Sequence, residues 1–127
     1  MLSQLFGLSL LRLMIAVIIF LHGGYRLLNG GIEPFGQYLS QQGFPLGLIW
    51  AAAVTGLELI GPLFLLINRY VSMFCLLFIL LYSTGVALLH AKVGWFVVGP
   101  GRNGAEFSAL LIAVLLVLMV QHWPARR

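Results

Sequence analysis

The chain has 127 residues, of which 61% are hydrophobic and 8% charged, with a mean hydropathy of +1.06. A soluble domain carries about a quarter charged residues, so this chain lacks the polar surface to stay in water. Its net charge of +4 comes from scattered basic residues, which excludes a nucleic-acid patch and leaves the lipid bilayer as the partner.

The first segment, MLSQLFGLSLLRLMIAVIIFLHGG, has the apolar content of a signal peptide. Arg12 interrupts it and no small-x-small cleavage site follows cleanly, so it reads as a retained first span from about Leu5 to Leu28. The loop NGGIEPFGQYLSQQGFPLG follows, and its Pro34–Gln42 stretch predicts a short interfacial helix. A second apolar stretch runs from Leu46 to Ile67, with Trp50 near its start as an interfacial anchor. Asn68-Arg69 leaves only a tight turn before a third stretch, Tyr70 to His90, so those two helices are expected to be antiparallel neighbours. Cys75 is the single cysteine, which excludes an intramolecular disulfide and reads as a buried, inert thiol.

The next loop, AKVGWFVVGPGRNG, places apolar residues between glycines. Such a segment can dip back into the membrane where protein shields its backbone from lipid. A fourth stretch runs from Ala105 to Trp123, with His122 and Trp123 as interfacial anchors. At ~1.5 Å per residue each stretch can cross a hydrocarbon core of about 30 Å. The expected architecture is all-α: a transmembrane four-helix bundle in one domain, with a short interfacial helix and a re-entrant loop on the non-cytoplasmic side. Arg12, Arg69, Arg126 and Arg127 fall on the terminal side, against Arg26, Lys92 and Arg102 on the loop side. That balance favours cytoplasmic termini.

One carboxylate, Glu58, lies mid-span in AAAVTGLELIGPLFLLI. A charge at that depth persists only when paired. With Leu5 and Ile67 taken as level, the helical rise puts Arg12 about 10 Å and Glu58 about 13 Å deep. An Arg12–Glu58 ion pair is therefore expected, with Ala51, Thr55 and Pro62 on the Glu58 face. Such a pair either fixes helix register or marks a proton pathway, as the membrane glutamate of a small multidrug exporter does. An arginine partner would hold Glu58 ionised and favours the structural role.

A second polar group gathers on the loop side. His22 and Arg26 are one turn apart at the end of the first span. Ser72, Ser83 and His90 share a face of the third, and Glu106 opens the fourth, where the helix dipole favours an anion. His22, Arg26, His90 and Glu106 are expected at one depth, beneath Trp95 and Phe96. Two His and a Glu can hold a transition metal, and two His can ligate a haem, but neither pattern has motif spacing here. A quinone is the better match. His or Arg would donate to its carbonyls, Glu106 would accept a proton, and Trp95 and Phe96 would flank the ring. A purely structural network anchoring the loop is the competing reading.

Three segments together resemble the DoxX family of small bacterial membrane proteins: LLRLMIAVIIFLHGGYRLL, FPLGLIWAAAVTGLELIGPLFLLINR and HAKVGWFVVGPGRNGAEFSALLIA. The family pattern corresponds here to Arg12, His22-Gly23, Arg26, Glu58, Gly94-Trp95-Phe96 and Glu106, with Arg26 where lysine is common. The resemblance implies one DoxX-like transmembrane domain over residues 1–127, in a bacterial inner membrane. It also implies an association with quinol oxidase or redox-stress complexes, with a partner oxidoreductase supplying the redox centre. The alternatives are a non-enzymatic scaffold or assembly factor, and a small proton-coupled transporter. Glycines at 56, 61 and 85 would permit a homo-oligomer.

Overall fold

The computed structural model describes residues 2–90 and 106–122, leaving aside the side chains of residues 89 and 90. Every element among them is helical: α1 (Leu2–Leu28), α2 (Ile32–Gln41), α3 (Gly47–Leu66), α4 (Val71–Gly85), which continues into a π-helical turn (Val86–His90), and α5 (Glu106–Gln121). The all-α membrane architecture expected from the sequence is thus what forms. Three helices are long and apolar enough to cross a bilayer: α1, α3 and the Val71–Leu88 stretch beginning with α4. The apolar α5 has 16 described residues. The Trp95–Phe96 loop, Lys92, Arg102, Trp123 and the two terminal arginines lie outside the described residues.

The chain forms two compact units, Arg12–Arg69 on the one hand and Met1–Leu11 with Tyr70–Arg127 on the other. In the first unit α1 buries Ile15, Ala16, Ile19 and Gly23, a stripe at helical three-and-four spacing. The facing stripe of α3 is Ala51, Thr55, Glu58, Pro62 and Leu65, with Gly61 beside it. Between them α2 folds back on α3. Gly30 takes the left-handed conformation (φ 65°) that lets the chain leave α1, and Gly43 (φ 100°) does the same after α2. Gly36 and Gly47 bring α2 and α3 into backbone contact. A Cβ on Gly36 would lie 2.8 Å from the Leu48 Cα, and one on Gly47 would collide with the Gly36 carbonyl and the Ser40 hydroxyl. Any other residue at either position would push α2 away from the start of α3.

In the second unit α4 packs on α5. Val71, Ser72, Phe74, Cys75 and Phe78 are buried on α4, and Ser108, Leu111, Leu115 and Leu118 on α5. The Ser72 hydroxyl donates to the Met119 carbonyl (3.1 Å). It ties the first turn of α4 to the last turn of α5, so the two run antiparallel. Ser83, expected on the same face as Ser72, is exposed. Cys75 is buried and free, in keeping with an inert core thiol.

Candidate functional site

Glu58 is 1% exposed, at the middle of α3. Its Oε1 accepts a hydrogen bond of 2.7 Å from Nη1 of Arg26, forming a salt bridge. The same Nη1 donates to the Thr55 hydroxyl at 3.1 Å, and that hydroxyl donates onward to the Ala51 carbonyl at 2.8 Å. The charge of Glu58 is therefore met by a counter-charge, and the counter-charge is steadied by a hydroxyl one turn away. Among the described residues no buried side-chain nitrogen or oxygen lacks a partner, which is what a polar group in a low-dielectric interior requires.

Three local features put the pair together. Gly23 allows α1 to touch α3: a Cβ there would stand 2.9 Å from the Glu58 Cβ and 3.3 Å from the Thr55 carbonyl oxygen. Pro62 sits four residues after Glu58 and brings no N–H for the Glu58 carbonyl, so α3 runs on without that one backbone hydrogen bond at the residue that carries the charge. Finally, α2 closes over the arginine. The Arg26 guanidinium carbon lies 4.7 Å from the centroid of the Phe35 ring, within cation–π range. The Gly31 N–H bonds the Arg26 carbonyl at 2.8 Å, and a Cβ on Gly31 would press on the Arg26 side chain.

Sequence reasoning identified the need of Glu58 for an arginine but pointed to Arg12. The salt bridge shown at Glu58 is instead with Arg26, and the reason is register. Gly23 fixes its own level against Glu58, which leaves Arg12 eleven residues, or about 16 Å of helical rise, from the carboxylate. That is beyond the reach of its side chain. Counting along the antiparallel partner, Arg12 falls level with Arg69 at the end of α3. Leu5 and Ile67 are therefore not level. Thr55, Ala51 and Pro62 do share the buried Glu58 face as expected. Phe35 was not foreseen, and the cue that could have found it is an aromatic residue shortly after a helix that ends on an unpaired arginine.

The other residues expected in the loop-side cluster fall in both compact units or outside the described residues. Arg26 belongs to the ion pair. His22, one turn before it, is exposed, and its Nδ1 lies 2.9 Å from the Ile18 carbonyl. A carbonyl only accepts, so Nδ1 carries the proton in this contact. Glu106 opens α5 half-buried, in the other compact unit. The His90 side chain, Trp95 and Phe96 lie outside the described residues. Among the described residues no three His, Cys, Asp or Glu side chains gather as a metal site would need.

Arg26 retains chemistry beyond the pair. Both of its side-chain hydrogen bonds leave from Nη1, and its side chain is 21% exposed. Nε and Nη2 make no hydrogen bond to the described residues. A cation with accessible donors and an aromatic ring against it can hold a carbonyl or anionic oxygen.

No curated protein and no solved structure matches the chain. A family model does, that of DoxX, over residues 7–91, about two thirds of the chain. The matched span holds Gly23, Arg26, Gly31, Phe35, Ala51, Thr55, Glu58 and Pro62, the residues that α1, α2, α3 and their connections bring to this site. With that coverage and three membrane-length helices, the chain belongs to the DoxX family and is a multi-pass membrane protein.

Proposed function

We propose that the protein is a redox-linked membrane subunit that binds a quinone and works with a partner oxidoreductase in a bacterial inner membrane. It would cross the bilayer four times, with cytoplasmic termini. The observation that supports this reading is Arg26, which lies against Phe35 with its side chain 21% exposed and whose hydrogen bonds to described residues leave from Nη1 alone. A quinone head fits such a group, because its carbonyl oxygens accept hydrogen bonds and its ring is apolar. When bound, a quinone would supply reversible two-electron chemistry. Arg26 would orient one carbonyl, and Phe35 would lie against the ring or hold the guanidinium plane. From the sequence alone, Glu106 is the candidate proton acceptor and His22, His90, Trp95 and Phe96 are the further candidate ligand residues. The partner would carry the redox centre, since the single cysteine gives this chain no dithiol pair of its own.

The test is calorimetric titration of a quinone analogue into the purified protein in lipid nanodiscs, for wild type, Phe35→Leu and Glu106→Gln. Saturable binding that weakens at least several-fold in either variant, with helicity retained, supports the proposal. Absence of saturable binding in the wild type overturns it for the isolated subunit. A scaffold or assembly role is the second reading, favoured by the buried Arg26–Glu58 salt bridge, which ties α1 to α3. Proton-coupled transport through Glu58 is the third reading, and it would require the Arg26–Glu58 salt bridge to open.

A further inference from the structure

The second polar feature of the Arg12–Arg69 unit lies on the other side of α2. A shallow groove of about 360 Å³ is lined by Glu33, Gly36, Gln37, Ser40, Gln41 and Leu48. Its floor is where Gly36 and Gly47 bring α2 against the start of α3. Its wall is one face of α2, with Glu33, Gln37 and Gln41 at successive four-residue steps. The four polar side chains are exposed, and none makes a hydrogen bond or ion pair with the described residues. They differ in this from Arg26, Thr55 and Glu58 on the opposite side of the same unit.

We propose that this groove is a binding site for the headgroup of phosphatidylethanolamine, a function independent of the quinone reading. The argument is chemical complementarity. Glu33 is the only ionisable residue of the groove, so its charge selects a cation. The primary ammonium of ethanolamine has three N–H donors, which the Glu33 carboxylate and the amide carbonyl of Gln37 can accept. The amide N–H groups of Gln37 and Gln41 and the Ser40 hydroxyl then supply donors for the phosphate oxygens. A choline headgroup fits poorly. It has no N–H to donate, and quaternary ammonium groups are recognised by aromatic cages, whereas no aromatic side chain lines this groove. A phosphatidylglycerol headgroup is anionic and would meet the Glu33 carboxylate with no cation to offset it. The acyl chains have a path as well: Leu48 and Ile49 are exposed at the start of the apolar α3, beside Trp50, whose ring meets Phe44 edge-on at 5.9 Å in the manner of an interfacial anchor.

The test is native mass spectrometry of the full chain released from detergent with equimolar phosphatidylethanolamine, phosphatidylcholine and phosphatidylglycerol of matched acyl chains. Wild type is expected to retain phosphatidylethanolamine about tenfold over either competitor, the scale of one charge-assisted hydrogen bond. Glu33→Gln should abolish that preference while keeping total lipid retention and helicity. Gln37→Leu should weaken it without reversing the order. Equal retention of the three lipids by the wild type would overturn the proposal. So would an ethanolamine preference unchanged in Glu33→Gln, which would place the selective contact elsewhere. Glu33 and Gln37 are exposed on one helix face, so neither substitution disturbs the packing of α2 on α3.

Discussion

The contact between α1 and α3 and the contact between α4 and α5 solve one problem in opposite ways. Between α1 and α3 the closest approach is a glycine against a charged residue, and the counter-charge arrives from three residues further along α1. Between α4 and α5 the buried surface is leucine, phenylalanine, valine and cysteine, with two serines, one of them bonded to a carbonyl. Lipid tails are as apolar as leucine, so apolar burial alone gives membrane helices little reason to choose one alignment over another. A buried ion pair does give one, because any slip of α1 along α3 leaves two charges unmatched in a low-dielectric interior. The α1–α3 contact is thus specified by penalty. The α4–α5 contact is specified by shape.

The comparison breaks most readily at Arg26. Arg26→Ala strands the Glu58 carboxylate and should cost about 3–5 kcal/mol, read as the shift in the unfolding midpoint during titration with a denaturing detergent. The double substitution Arg26→Met with Glu58→Leu should recover most of that loss, because an apolar pair of similar volume removes the stranded charge. If the double variant is as unstable as the single one, the penalty account fails. Gly23→Leu should cost about 1–3 kcal/mol by overpacking, since the added side chain meets Glu58 and the Thr55 carbonyl. Gly24→Ala is its control. A Cβ at Gly24 meets nothing within 4 Å, so that variant should be neutral or slightly stabilising. Equal effects at the two glycines would remove Gly23 from the register argument.

Smaller effects sharpen the contrast. Thr55→Val removes a hydroxyl that both accepts from Arg26 and donates to Ala51, with an expected loss of about 1 kcal/mol. Ser72→Ala removes the hydroxyl between α4 and α5 and should cost roughly 0.6 kcal/mol, the average for such bonds between membrane helices. The order Arg26, Gly23, Thr55, Ser72 is itself the prediction. A serine effect exceeding the threonine effect would mean that α4 and α5 depend on polar register as heavily as α1 and α3.

Much of the fold was legible because hydropathy and helix length are coupled in a bilayer. The expected second span, Leu46 to Ile67, became Gly47–Leu66, and the expected short helix at Pro34–Gln42 formed as Ile32–Gln41. The partner of Glu58 was less legible. The requirement for an arginine follows from one residue, but the choice between Arg12 and Arg26 depends on axial offset, which the apolar residues of α1 do not encode. Gly23 encodes it, through close approach, and a glycine inside an apolar helix signals approach without naming the neighbour. The contact of Phe35 with Arg26 depends on how α2 folds back through Gly30 and Gly31, a matter of backbone conformation that periodicity does not report. Ser83 shows the limit in another way, since a shared helical face with Ser72 did not decide that both would be buried.

The separation in sequence between Arg26 and Glu58 has a consequence for biogenesis. The arginine is made 32 residues before the carboxylate that neutralises it. At a synthesis rate of about 5–20 residues per second, α1 waits about 2–6 s before its counter-charge has even been added to the chain. During that interval an arginine near the end of a largely apolar segment must be held by the insertion machinery, by water at the bilayer surface, or by lipid phosphates. Final seating of α1 is therefore expected to await the insertion of α3, so that the two enter the bilayer as a hairpin. A chain truncated between α2 and α3 should leave α1 more readily extracted from membranes by alkaline carbonate than a chain extended through Leu66.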